Sequence, residues 1–251
     1  MTGFTLRYSP LYREVKRILD SGKLGRLISI DANENLFPGH GAYIFTNWRR
    51  HHEMAGANIL EKSVHDLDLL NWFTGSRPRK VAAFGGNSMF VPENAHLFEA
   101  IPEFSSWEGT SQSGLNPFTS DKTIEDTFVS ILEYENGAKV QFQLTSSNPL
   151  GERRMYLSGT EGTLIVDLVT AKLTYKSLTD SQPTVFDGSG GFHGGGDEVM
   201  VSELVATMTM GVPPAVGLQE GLESTLVGLS LDRALREQRI VDLTDLWRRL
   251  D

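Results

Sequence analysis

The sequence predicts an α+β domain built on a mostly antiparallel sheet. Strand-like segments follow one another through the middle of the chain, and Asn136-Gly137, a strong hairpin turn, separates two of them. Helix-periodic segments lie ahead of this run and behind it. With 39% hydrophobic and 22% charged residues, the 251-residue chain has the composition of a globular protein with a real core. Neither an internal repeat nor a linker divides it, so residues 1–251 read as one domain.

The elements follow in order. Pro10 to Asp20 reads as a helix: Pro10 suits its first turn, Leu11, Val15, Ile18 and Leu19 form its stripe, and Gly22 ends it. Leu27 to Leu36 reads as a strand, followed by a glycine-rich polar loop from Phe37 to Gly56. Ala57 to Phe73 is the clearest helix, with Ile59, Leu60, Val64, Leu67 and Leu70 on its buried face. Lys80 to Phe90 reads as a strand. From Val91 to Lys122 the periodicity fails, and this stretch of Ser, Glu, Asn, Pro and scattered aromatics is expected to be a long functional or mobile loop. Strands are expected at Asp126–Tyr134, Ala138–Thr145, Arg154–Ser158, Thr163–Asp167 and Ala171–Leu178. Helices near Glu198–Met210 and Leu218–Gln238, a short strand at Arg239–Leu243 and a turn at Leu246–Leu250 close the chain.

Composition excludes several classes. No apolar run approaches the ~18 residues that cross a bilayer. Charged residues and Pro10 come too early for a signal peptide, so a cytoplasmic, soluble protein is expected. The absence of cysteine removes disulfides, thiolate metal sites and a thiol nucleophile. A net charge of −9 argues against a general nucleic-acid binder.

Two constellations could carry chemistry. Glu61, His65 and Asp68 are spaced i, i+4, i+7 on the helix from Ala57, on a stripe apart from its apolar face. A histidine flanked by carboxylates is held in one tautomer and can shuttle a proton, although the same spacing also describes an ordinary exposed Glu–His pair. The run Gly190-Gly191-Phe192-His193-Gly194-Gly195-Gly196-Asp197 precedes a helix that Asp197 could cap. Its glycines admit close approach to a ligand, and the plain alternative is a surface loop. The run lacks the order of a dinucleotide fingerprint, and no P-loop is present. Trp48-Arg49-Arg50 could clamp an anionic or sugar ligand. His40, His51 and His52 lack further partners at telling spacing, so no metal site is expected.

Gly3-Phe4-Thr5-Leu6-Arg7-Tyr8-Ser9-Pro10 with Gly22-Lys23-Leu24-Gly25 resembles the entry to the C-terminal domain of the glucose–fructose oxidoreductase / inositol dehydrogenase / rhizopine catabolism family. The stretch from Ala57 to Asp68 is similar to that family's catalytic helix. Gly159-Thr160-Glu161-Gly162-Thr163-Leu164, His193-Gly194-Gly195-Gly196-Asp197, and Gly217-Leu218-Gln219-Glu220-Gly221-Leu222 running on to Val241-Asp242-Leu243 match later stretches in the right order.

The resemblance implies an open, mostly antiparallel sheet with helices on one face, in an NAD(P)-dependent oxidoreductase acting on sugars, cyclitols or related polyols. It gives His65 the proton-transfer role. Glu61 stands where the family commonly has Asp, and Trp48, Arg49, Asp68, His193 and Asp197 become candidate substrate contacts. The catalytic lysine of the family belongs to its nucleotide-binding domain, and that role is not carried to Lys62. The family's N-terminal Rossmann domain is not found in this sequence, so neither NAD nor NADP is expected to bind the chain tightly by itself. A non-catalytic binding or scaffold module derived from the family, and a metal-dependent hydrolase, are the alternatives. A homodimer or higher homo-oligomer is expected, because Phe128, Leu132 and Tyr134 alternate with Val129 and Ile131, making that strand apolar on both faces.

Overall fold

The computed structural model describes residues 1–188 and 192–250. Gly190 and Gly191 of the glycine run lie outside them. The helices are α1 (Pro10–Asp20), α2 (Pro38–Thr46), α3 (His52–Ala55), α4 (Asn58–Glu61), α5 (Val64–Thr74), α6 (Leu97–Ala100), α7 (Glu108–Ser113), α8 (Gly196–Met210), α9 (Leu218–Glu237) and α10 (Thr244–Arg248). The strands are β1 (Leu27–Asn35), β2 (Pro78–Gly86), β3 (Thr127–Tyr134), β4 (Lys139–Thr145), β5 (Arg154–Gly159), β6 (Gly162–Asp167), β7 (Lys172–Ser177), β8 (Thr184–Asp187) and β9 (Val241–Asp242).

The nine strands found among the described residues join one sheet in the order β8-β7-β6-β5-β1-β4-β3-β2-β9. β1 pairs in parallel with β4, and every other neighbouring pair is antiparallel. The strand residues alternate between faces. Phe128, Leu132, Val140, Phe142, Leu144, Met155, Leu157, Leu164 and Val166 are buried on one face, beneath α1, α5 and α9. Helix α9 lies on β2 and against α5, while α1 reaches β6 and β7. The other face carries Ile131, Gln141, Asp31, Tyr156 and Ile165 in register across five strands. Ile131 is 58% exposed and Phe84 77% exposed there. The expected fold is therefore present: an open, mostly antiparallel sheet with helices on one face. None of the described helices is long and apolar enough to cross a membrane.

Three local expectations are corrected. The segment from Phe37 to Gly56 is not a loop but holds α2, a 3-10 turn at Trp48–Arg50, and α3. Gly39 and Gly41 read as breakers in the sequence, yet they serve close packing. A Cβ on Gly41 would lie 1.6 Å from the Ser146 carbonyl oxygen, so only glycine lets α2 rest on the end of β4.

Next, the helix expected from Ala57 to Phe73 is two helices, α4 and α5, parted at Lys62 and Ser63. Finally, the stretch from Val91 to Lys122 is folded into short helical turns around Phe90, Phe104 and Phe118, with Phe45 of α2 stacked on Phe90 at 4.7 Å. The scattered aromatics supply a small core of their own.

Candidate functional site

Chemistry-bearing side chains gather at the carboxyl end of β1. Glu34 and Asn35 end that strand, and Pro38 then starts α2 at a position where its missing N–H costs nothing. From α2, His40, Tyr43 and Ile44 face Arg49, Glu61, Lys62 and His65 across a cavity of about 190 Å³. An adjoining cavity of about 540 Å³ shares His40 and Lys62, and His193, Trp107, Phe37, Leu168 and Arg153 are among its walls.

The break between α4 and α5 organises the charges. It frees Ser63 to donate its hydroxyl to Glu34 at 3.0 Å and brings Lys62 Nζ to 3.6 Å from the same carboxylate. Arg153, delivered by the start of β5, donates to both oxygens of Asp66 at 2.9 and 2.5 Å and lies 3.2 Å from Glu34. Two carboxylates thus share one guanidinium. Burial alone would raise Glu34, but Arg153, Lys62 and the Ser63 hydroxyl outweigh it and hold that carboxyl at about 2. At Asp66 burial prevails over Arg153 and pushes the carboxyl up to about 7.

Two imidazoles at this site, His65 and His40, are held well below the ordinary imidazole range. Burial, with Arg153 and Lys62 adding to it, lowers His65 to about 4. Burial and Lys62 lower His40 to about 3. His65 Nδ1 is buried and has no hydrogen-bond partner, and the Phe4 ring meets the imidazole edge-on at 5.6 Å.

The carboxylates expected to hold His65 are engaged elsewhere. Glu61 accepts from Arg49 Nε at 2.5 Å, so the two fix each other in the cavity wall. Asp68 is enclosed and takes a two-pronged hydrogen bond from Arg7 at 2.6 and 2.8 Å, with the Ser224 hydroxyl at 3.2 Å. It lines neither cavity: although it lies three residues beyond His65 in the same helix α5, its carboxylate turns to Arg7 and Ser224, and only Glu61 is set apart from His65 by the helix break. Trp48 is half exposed, with the Arg49 guanidinium 4.5 Å from its ring centroid. Asp197 does not cap α8, whose N-cap is Gly195. It accepts instead from His193 Nδ1 at 2.9 Å, and His193 reaches its cavity from a left-handed backbone (φ 50°) that glycine would adopt more readily. Of the remaining histidines, His52 meets Asp232 at 3.0 Å, and no cluster fit for a metal ion occurs among the described residues.

Glu34, Trp107 and Arg153 were missed in the sequence, while His40 was weighed only as a metal ligand and Lys62 only for the family's lysine role. They come from widely separated segments, and only the run Glu61-Lys62 beside His65 was close enough in sequence to have signalled one of them.

The chain has a fold shared with solved oxidoreductases. It overlays on levoglucosan dehydrogenase in complex with NADH and levoglucosan (TM-score 0.77, 15% identity, 97% of this chain and 66% of that one). It also overlays on myo-inositol 2-dehydrogenase from Lactobacillus plantarum (TM-score 0.68, 19% identity, 96% and 64%). The chain spans just under two thirds of each. The sequence profile of the GFO/IDH/MocA C-terminal domain matches residues 12–165, and the chain belongs to that family. A curated relative, the putative oxidoreductase YteT of Bacillus subtilis (strain 168), is 26% identical over 302 aligned residues, covering 97% of this chain and 69% of the relative.

Proposed function

We propose that this chain supplies the substrate-binding and proton-transfer part of an NAD(P)-dependent oxidoreductase acting on a sugar, cyclitol or related polyol. The observation that carries the proposal is His65: an imidazole with a buried, unpartnered Nδ1, in the wall of a cavity whose other lining residues, Ile44 apart, carry hydrogen-bonding groups. An imidazole facing a bound hydroxyl is of the kind that takes its proton as the hydride leaves carbon. The positive charge of Lys62 would stabilise the alkoxide that develops, since a cation fixed in a partly desolvated site acts strongly on a forming anion. Arg49 and Glu61, each held by the other, would orient ring hydroxyls. His193, steadied by Asp197, would contact the substrate from the larger cavity. Asp68 is left out of this role and anchors α5 through Arg7.

NADH and levoglucosan occupy a protein of the same fold. The nicotinamide would take up the hydride in such a reaction. The described residues do not fit a dinucleotide, however: β1, in the one parallel pair among them, leads into Phe37-Pro38 rather than a glycine fingerprint at a helix N-terminus. The nucleotide-binding surface therefore belongs to a further domain.

The test is His65→Ala in protein that includes such a domain. Turnover should fall about 10²–10⁴-fold, the usual contribution of a positioned proton-transfer group, while the polyol still binds. Unchanged turnover removes the assignment. Calorimetry of the 251-residue chain with NADH and NADPH gives an independent check, because a low-micromolar dissociation constant would contradict the division of labour.

A further inference from the structure

The two cavities differ in size and in character. A six-carbon sugar ring has about 12 heavy atoms and, packed as in an organic crystal, fills on the order of 200 Å³. The cavity at His65, about 190 Å³, is the size of one ring. The neighbouring cavity, about 540 Å³, has room for considerably more, and His40 and Lys62 line both.

The walls of the smaller cavity are polar apart from Ile44. The larger one adds Phe37, Trp107, Leu168 and Val169. Phe37 is 48% exposed, Trp107 41% and Val169 49%, so three of the apolar side chains left open to solvent converge on one concavity. Exposed apolar surface gathered in a hollow marks a ligand site more often than a bare surface does. Trp107 is also held in place. His40 stacks on it at 4.6 Å between centroids and 25° between planes, and Tyr43 leans on it at 5.4 Å. A fixed aromatic face binds with little loss of side-chain freedom.

We infer that the substrate is a glycoside: a sugar or polyol ring at His65, linked past Lys62 to a second cyclic group, sugar or aglycone, that lies against Trp107. The inference rests on the proton-transfer reading of His65 and adds the size of the substrate to it. Trp107 is then a specificity-determining residue that selects for the second group and takes no part in proton transfer.

Saturation-transfer NMR on the 251-residue chain tests this. The probes are the methyl and phenyl glycosides of glucose, galactose, rhamnose and xylose, with circular dichroism to confirm that each variant is folded. At least one phenyl glycoside should bind about tenfold more tightly than its methyl counterpart, the scale of one well-packed aromatic contact, with strong saturation of the phenyl protons. Trp107→Ala should abolish that gain, so that the methyl and phenyl glycosides bind alike, and Trp107→Phe should restore part of it. Equal binding of methyl and phenyl glycosides, or a gain that survives Trp107→Ala, overturns the inference while leaving the reading of His65 intact. Displacement of the phenyl group by nicotinamide mononucleotide also overturns it, by assigning the larger cavity to a cofactor ring. Failure of every glycoside to bind removes both readings.

Discussion

Arg153 donates to both carboxylate oxygens of Asp66, and the same guanidinium stands 3.2 Å from Glu34. All three side chains are buried, at 9%, 0% and 2% exposure. A buried cation shared by two carboxyl groups is the least replaceable group in such a cluster, because its loss leaves the Glu34 charge and the buried Asp66 carboxyl without their shared partner.

Arg153→Met should therefore destabilise the protein by about 3–5 kcal/mol at pH 7, the cost of breaking a buried pair from one side. Urea unfolding followed by circular dichroism measures it. A loss below about 1 kcal/mol, the range of exposed ion pairs, would mean that water reaches the cluster.

His65 should titrate near pH 4, and the Cε1 proton shift in NMR reads this directly. The sign follows from linkage. The folded-state value lies below the unfolded value of about 6.5, so the neutral ring contributes stability above pH 6.5, and that contribution is lost as pH falls through about 4. His40, held at about 3, acts in the same direction. Asp66 acts oppositely: its contribution is full below about pH 4 and lost as pH rises through about 7. Lys62→Met removes one of the cations that lower both histidines and should move the His65 midpoint upward. A wild-type midpoint near 6.5 would show an open, hydrated ring.

Gly41→Ala should lower stability by about 1–3 kcal/mol or more, as overpacking does, because the added methyl meets the Ser146 carbonyl. The thermal midpoint reports it. A neutral result would mean that α2 can lift from β4 at no cost and that packing does not require the glycine.

The open sheet face should bury itself in a dimer. Ile131 and Phe84 stand exposed on it, and no helix among the described residues covers the row from Ile131 to Ile165. Sedimentation equilibrium should give a dimer at micromolar concentration, and Ile131→Lys should give a folded monomer. A wild-type monomer across that range ends the idea.

The sheet was legible because its signals are local. Asn136-Gly137 marked one hairpin, and short apolar runs parted by turn residues marked β3 to β7, while the assignment of side chains to the core face came only with the structure. Helix α2 was hidden because Gly39 and Gly41 lower helix propensity for the sake of contacts the sequence does not show. The break at Lys62–Ser63 was hidden because apolar periodicity runs through it, while its cause, the carboxylate of Glu34, lies 29 residues before Ser63. His65 was found by its spacing and by resemblance. Arg153, Glu34 and Trp107 come from three distant segments, and only folding brings them to one place.

The separate aromatic core around Phe90, Phe104 and Phe118 has an evolutionary corollary. Trp107 lies in the chain segment that builds that small cluster, whereas His65 belongs to a helix packed on the main sheet. Insertions, deletions and exchanges between Val91 and Lys122 can reshape what the larger cavity accepts without disturbing the strands that hold the imidazole. Ligand preference and proton chemistry can thus be inherited as separate traits, and paralogues that diverge in this segment are expected to differ in what they recognise before they differ in what they do to it.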